Sequence, residues 1–438
     1  MVALIALSLE EVARLCPGRL EIAAGESEVT GVMIDSRRVA TGDLFVAIGR
    51  GSEFSAQALG SGAAAVLIPE NAESAMAALG RAARERSSAR VVAITGSTGK
   101  TSTKDILAAL IKPHARVVAA EASFNNELGI PLTLCRIEPE TEIAIVEIGM
   151  RGIGQIAEAC AFVRPHVGLI TGVGPVHLEL LGTTRRVAQA KAEILGGIEP
   201  GGIGIIPTGE PLLEPFIPAG LDLRRFGAGG SSVLVSFDAG HGRSRAVFEI
   251  EGEHVELELP LSARHQAENT LAALTVYHAL GLPLERAQEG AGEINLSRWR
   301  GEETALPGEG LLINDAYNAN PTSLRAALEH QEQVAGGRRR VAVLGTMAEL
   351  GEESARYHRE IGRCATALGV SALVAVGEQA RAYLEDANGI AIREWAADAE
   401  SALPLVESVV QPGDCVLVKG SRVVGLERVA EALRGAGA

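Results

Sequence analysis

The chain has 438 residues, 47% hydrophobic and 22% charged, which suggests three globular domains at about 150 residues each. A formal charge of −15 with no long Lys/Arg run argues against a nucleic-acid surface, because basic residues must there replace the counterions around phosphates. An acidic ligand is left only a local cationic pocket.

The opening run "MVALIALSLEEVARL" is apolar at first, but no basic segment precedes it and Glu10 and Glu11 follow at once. A signal peptide is therefore not expected. No apolar run approaches the ~18 residues of a spanning helix. The five cysteines are odd in number and never spaced C-x-x-C, so they read as small buried hydrophobes in a reducing compartment. A cytoplasmic monomer without membrane insertion is the expectation.

Residues 1–88 read as a small mixed α/β unit that ends in the alanine-rich helix "AESAMAALGRAARER". Residues 89–303 alternate strands ("EIAIVEIGM", "VGLITGV", "GIGIIP") with helical stretches, which predicts a mainly parallel sheet. Between about 231 and 262 the pattern switches to period two, predicting an antiparallel insert on the sheet edge. Residues 304–438 repeat the strand–helix alternation as a Rossmann-like unit. Three α/β domains around a cleft are the expected fold.

The stretch "AITGSTGKTSTKD" follows an apolar strand and opens a helix with Ile106, Leu107, Leu110 and Ile111 on one face. Such a strand–loop–helix offers backbone N–H groups to a phosphate. It lacks the first glycine of a G-x-x-x-x-G-K-[ST] loop, since Ile94 stands five positions before Gly99. Gly96, Ser97, Thr98 and Gly99 would form the cradle, Lys100 would reach the terminal phosphates, and Thr101 or Ser102 would hold a magnesium ion. A glycine turn opening a surface helix is the alternative.

A phosphate site needs a divalent cation, and three side chains downstream are candidates. Glu147 ends the strand "IAIVEIG", His177 follows the next strand in "GPVHLE", and Lys191 lies in the helical "VAQAKAEIL" beside Val187, Ala190 and Ile194. Each alone could be a surface glutamate, a loop histidine or a solvated lysine. A lysine ammonium, moreover, has no lone pair to offer a metal.

Taken in order, "GSTGKTSTKD", "SFNNELGIPLTL", "EIGM", "GPVHLE" with "AQAKAEI", "NDAYNANPTSL", "LGTMAELG" and "VLVKGSR" resemble the Mur ligases of peptidoglycan synthesis. The resemblance covers almost the whole chain, and that family's loop also lacks the first Walker glycine. It implies ATP as phosphoryl donor, two Mg²⁺ ions and an acyl phosphate on a peptide carboxylate. Within the family the motifs point to joining D-alanyl-D-alanine to UDP-N-acetylmuramoyl-tripeptide.

By the same resemblance Lys100 and Thr101 bind ATP phosphates and a first Mg²⁺, with Glu147 on the metal. His177 matches a second-metal ligand, and Lys191 the lysine that the family carbamylates, which turns an ammonium into an oxygen donor. Asn125 and Asn126 match a motif near the nucleotide. Asn269 matches an adenine-reading asparagine, although an Asn there could also cap a helix. Arg300, rather than its neighbour Arg298, lies fifteen residues before Asp315, the family spacing of a phosphate-contacting arginine and a C-terminal aspartate. Asn318 and Asn320 would face the cleft. Lys419, Ser421 and Arg422 would meet the dipeptide's carboxylate, unless "VLVKGSR" is a structural turn. Ser36 and Arg37 in "MIDSRRVATGDLFVAI" match donors to the UDP diphosphate, with Arg37 or Arg38 otherwise solvated.

Three departures stand out. The usual Asp-Gly-His segment after "LFVAIGRG" is replaced by "SEFSAQ", "LGDM" is "LGTM" with Thr346 in the carboxylate position, and Gln266 replaces an asparagine. Another Mur-type or folylpolyglutamate-type ligase, or a non-ligating phosphate-loop ATPase, are the alternatives. The Asp-Asn-Pro-Arg element of third-residue ligases is absent.

Overall fold

The strand predicted before the glycine loop forms over Arg90–Thr95, and all but its first residue are buried. The computed structural model describes residues 6–240 and 242–435. The first five residues of the apolar opening run lie outside them.

The N-terminal segment carries a four-stranded sheet in the order Gly18–Ile22, Ala65–Pro69, Asp43–Val46, Gly31–Met33. Its first pair is antiparallel and the rest are parallel, which matches the mixed pattern expected. The helix Ala72–Arg86 follows, its start fixed by Asn71, whose Oδ1 accepts from the Ser74 N–H at 2.8 Å. This helix crosses onto the next unit. A Cβ on Gly80 would lie 2.8 Å from the Pro131 Cα, so only glycine lets the helix approach Gly129–Leu134 this closely. Arg84, buried, donates to the Val163 and Arg164 carbonyls at 3.0 and 3.2 Å and so closes the end of the helix Gln155–Val163.

The central sheet has nine strands. Val117–Ala119, Ile143–Glu147, Arg90–Thr95, Val167–Ile170, Ile203–Pro207 and Asp222–Phe226 run parallel in that order. Ser232–Ala239, Ser244–Ile250 and Glu253–Leu259 then extend the edge as an antiparallel meander, as the period-two pattern predicts. From His254 onward the burial of that last strand alternates, so one face packs on the core and the other meets solvent.

The C-terminal sheet has six strands in the order Glu302–Leu306, Gly310–Asn314, Cys415–Lys419, Arg340–Gly345, Ala372–Val376, Ile392–Ala396. All neighbours are parallel except the first hairpin. Glu302–Leu306 spans residue 304 and pairs wholly within this sheet, so the change of sheet falls just before 302. All five cysteines are buried and free. Among the described residues no helix is long and apolar enough to cross a membrane.

Parallel strands end their chains at one edge, and the loops that follow share that edge. The central and C-terminal sheets present these edges to one another across a cleft of about 1100 Å³.

Candidate active site

The glycine loop lies at the centre of the cleft, after the strand flanked by Ile143–Glu147 and Val167–Ile170. Ile94, where a Walker loop has glycine, is fully buried in that strand and pairs in register with Glu147. The loop therefore starts later, at Gly96, and its two glycines carry the tight geometry. Gly96 has φ +153° and a Cβ there would fall 1.9 Å from Thr171 Oγ1; Gly99 has φ +78° and its Cβ would fall 2.4 Å from Asn269 Oδ1. Ser97 is tied to Gly174, whose N–H donates to Ser97 Oγ at 2.9 Å, and Thr171 Oγ1 donates to the Thr98 carbonyl at 2.5 Å. The helix Lys100–Ile111 starts at once, with its first N–H groups unpaired along the helix and facing the cleft.

Glu147 is fully buried, and its carboxylate is held from two sides. Thr101 Oγ1 donates to Oε2 at 2.8 Å and Asn125 Nδ2 to Oε1 at 2.6 Å. Arg300 reaches the same threonine, donating to Thr101 Oγ1 at 2.8 Å while its guanidinium stacks on Tyr317 at 4.2 Å. Tyr317 in turn meets Ser123 through their hydroxyls. Arg300 and not Arg298 is thus the arginine at the phosphate loop. Lys100 donates to the Gly96 carbonyl at 2.8 Å; burial pulls its pKa down, Glu147 opposes this and Arg300 adds to it.

Lys191 is only 2% exposed, on the same buried face as Val187, Ala190 and Ile194. Burial pushes its pKa well below the ordinary lysine value, and the Lys100 ammonium pushes it further. Among the described residues no carboxylate lies within ion-pair distance of it. An ammonium here would be uncompensated, so burial favours the neutral amine, and the side chain lines the cleft.

His177 caps the short helix Leu178–Leu181 with a left-handed backbone, φ +52°. Its Nδ1 is bonded to Glu349 of the C-terminal unit, and that partner holds the Glu349 carboxylate below its ordinary pKa. Thr346, at the position where a carboxylate was expected, instead packs against Gly377.

Asn269 lies beside Gly99 and donates to Gln266 Oε1 at 2.8 Å; it sits within the helix Arg264–Ala279, not at its cap. Asn126 also lines the cleft, and its Oδ1 accepts from the Gly129 N–H at 2.9 Å. Asn320 caps the helix Pro321–Val334 in a reciprocal pair with Ser323, and its Nδ2 donates to the Ser97 carbonyl at 3.3 Å. Asn318 accepts from the Ala319 N–H through its side chain. Lys419, expected to face a ligand carboxylate, is 2% exposed and pairs with Asp315 at 2.5 Å while donating to the Asn318 carbonyl at 2.9 Å. Its charge is met inside the protein. Ser421 donates to the Ala319 carbonyl, and Arg422 pairs with Glu427 above Trp299.

Ser36 and Arg37 are not in the cleft. Ser36 is buried, and Arg37 makes two bonds to Asp35 on an exposed turn. Two cleft groups escaped sequence reasoning: Tyr317, whose ring supports Arg300, and Ser123, which meets it. Tyr317 lies inside the quoted "NDAYNANP", so its position beside two asparagines was the signal.

One cleft thus brings together a phosphate loop, Glu147, Lys191 and Arg300, and the chain belongs to the Mur ligases. The Mur ligase middle domain matches residues 94–277 and the Mur ligase glutamate ligase domain residues 300–422. The chain is 32% identical to the UDP-N-acetylmuramoyl-tripeptide–D-alanyl-D-alanine ligase of Synechocystis over 92% of each chain. It is 31% identical to the same-named ligase of Escherichia coli over 98% of this chain and 99% of that one. Among solved structures, MurF from Acinetobacter baumannii superposes with a TM-score of 0.85 at 27% identity, covering 99% of this chain and 100% of that one. MurF ligase from Thermotoga maritima, in complex with ADP, does so with a TM-score of 0.80 at 28% identity, over 92% of this chain and 97% of that one.

Proposed function

We propose that the chain is an ATP-dependent amide ligase that joins D-alanyl-D-alanine to UDP-N-acetylmuramoyl-tripeptide in peptidoglycan precursor synthesis. The observation that carries this is one cleft holding an anion-binding loop, the Thr101–Glu147 pair and a buried Lys191 without a counter-ion. Plain ATP hydrolysis has no need of the third element. The ligases named above are similar over nearly the whole chain, which supports the substrate pair.

A carboxylate is a poor electrophile until one oxygen leaves as phosphate. The γ-phosphoryl group of ATP passes to the tripeptide carboxylate, giving ADP and an acyl phosphate. The dipeptide's amine attacks the acyl carbon, loses a proton, and phosphate departs as the amide forms. The protein positions these groups and stabilises the charge they develop. Lys100 and the N–H groups of residues 98–102 hold the phosphates, the Ser97 N–H being bonded to the Gly172 carbonyl, and Arg300 stands at Thr101 to meet the transferring phosphoryl oxygens. Asn320 and the Asp315–Lys419 pair fix the loop 315–320 against Ser97. Asn269 beside Gly99 and Asn125 at Glu147 complete the nucleotide side.

The donor set fits Mg²⁺ once Lys191 is carbamylated. The depressed pKa supplies the neutral amine that adds CO₂, and the product is a carboxylate-like oxygen donor in a site that an ammonium does not suit. Thr101, Glu147, His177 and the modified Lys191 would hold two ions. Bound Mg²⁺ neutralises phosphate charge and polarises the P–O bonds.

Residues 1–88 are assigned to the UDP-sugar, with Ser36 and Arg37 toward the diphosphate, 89–303 to ATP, and 304–438 to the amine substrate through Asn318, Ser421 and Arg422. A cytoplasmic monomer completes the assignment. The test is phosphate release with ATP and Mg²⁺ while each substrate is varied independently. Release only with both, with UDP-N-acetylmuramoyl-pentapeptide appearing by mass, is the expected result. Release with neither would replace the ligase with an ATPase.

A further inference from the structure

His177 and Glu349 are 172 positions apart and belong to different sheets, yet several contacts converge on their meeting. Glu349 comes from the loop 346–351, which the C-terminal unit holds firmly: the Met347 N–H donates to His358 Nε2 at 3.0 Å and the Ala348 N–H to Ser421 Oγ at 2.9 Å. On the opposite side the Glu179 N–H donates to the Glu349 carbonyl at 3.1 Å, and Arg151 lies 4.0 Å from its carboxylate. Gly351 packs so closely on this segment that a Cβ would fall 3.1 Å from the Glu179 Cα.

Both residues are strained. His177 at φ +52° and Glu349 at φ +62° are two of seven non-glycine residues with positive φ among the described residues, and these two touch. A side chain held in that region costs free energy that surrounding contacts must offset, and such outliers point to function. Here the backbone strain aims an imidazole and a carboxylate at each other.

We infer that Glu349 is a positioning residue for the His177 imidazole, delivered from the C-terminal unit, so that the second metal site is complete only when that unit is docked. The inference rests on His177 being a metal ligand. With Glu349 accepting from Nδ1–H, the tautomer is fixed and Nε2 keeps its lone pair for an ion. A carboxylate behind a ligating histidine orients the ring and makes it more basic. Thr346 packs against Gly377 instead, and the acidic group of this loop that meets His177 lies three residues later.

Wild type, Glu349→Ala, Glu349→Gln and His177→Ala are titrated with Mn²⁺ in bicarbonate buffer with a non-hydrolysable ATP analogue, free ion being counted by electron paramagnetic resonance. The wild type is expected to bind two ions and His177→Ala one. Glu349→Ala should weaken the second ion by about tenfold and leave the first unchanged. Glu349→Gln keeps an oxygen that accepts from Nδ1–H and should recover most of that loss. Equal binding by Glu349→Ala and wild type, or equal weakening of both ions, would overturn the inference while His177 stays a ligand. Two ions on His177→Ala, or one on the wild type, would instead remove the assignment of His177 itself.

Discussion

Lys419 distinguishes an internal ion pair from a substrate contact, and Lys419→Met separates the two. Its ammonium lies 2.5 Å from Asp315 and 2.9 Å from the Asn318 carbonyl, and the two side chains are 3% and 17% exposed. Removing the cation leaves a mostly buried carboxylate unpaired, which costs about 3–5 kcal/mol. With Asp315→Asn added, the stranded charge disappears, and the double-mutant cycle should return a coupling of about 1–3 kcal/mol. Trp299 and Trp395 are the chain's only tryptophans, and both pack in the C-terminal unit. Their fluorescence in a urea titration therefore reports this unit alone. At a slope of about 2 kcal/mol per molar urea, the Lys419→Met midpoint should fall by about 2 M. A midpoint unchanged from wild type, with a raised KM for D-alanyl-D-alanine, would refute the reasoning and return Lys419 to the substrate. A double variant no more stable than Lys419→Met would refute it as well.

Lys100→Met should cut phosphate release by about 10²–10³-fold through lost charge stabilisation at the phosphates, with the urea midpoint unchanged. Gly99→Ala forces a side chain into a left-handed backbone, worth about 1–2 kcal/mol, so ADP affinity by calorimetry should fall at least about tenfold; unaltered affinity would show that the loop relaxes freely. Burial pushes the Cys16 thiol up to about 11 and those of Cys160 and Cys415 up to about 12, so a disulfide reagent at pH 8 should label the native chain slowly and all five thiols once unfolded. His265 is pulled down to about 3 by burial, with His330 and Lys419 adding to it. The folded chain then resists a proton that the unfolded chain accepts below about pH 6.5, so this stability is complete above that pH and is lost as pH falls toward 3, at up to about 1.4 kcal/mol per unit. His265→Leu should flatten the wild-type loss of urea midpoint between pH 6.5 and 4; an identical loss in both would exclude His265 as its source.

Local pattern carried the fold far. Period-two spacing between about 231 and 262 located the meander, because an edge strand with one wet face must alternate. The phosphate loop was legible despite Ile94, since strand, glycines and helix start are contiguous in the chain. The apolar neighbours Val187, Ala190 and Ile194 left a solvated Lys191 open, because a long side chain can carry its charge past an apolar face to water; its burial is seen only in the fold. What local pattern cannot carry is a partner far along the chain. Lys419 reads as a free cation until Asp315, 104 positions earlier, is seen beside it. Asn125 and Asn126 are adjacent and chemically identical, yet one holds Glu147 and the other caps a turn, because neighbouring side chains diverge by backbone geometry.

The junction at residue 88 is a boundary of sequence pattern and not of mechanics. Gly80 admits Pro131 against bare backbone, and Arg84 fills the carbonyl end of a helix that begins some seventy residues downstream. A chimera that exchanges residues 1–88 for those of a relative would therefore transplant half of a lock. Such a graft has to carry the partner surfaces at 129–134 and 155–164 with it, or the new N-terminal unit will meet a β-carbon or an uncapped helix where this chain has a fitted seam. Modular exchange within this architecture is governed by those two contacts more than by the point where one sheet gives way to the next.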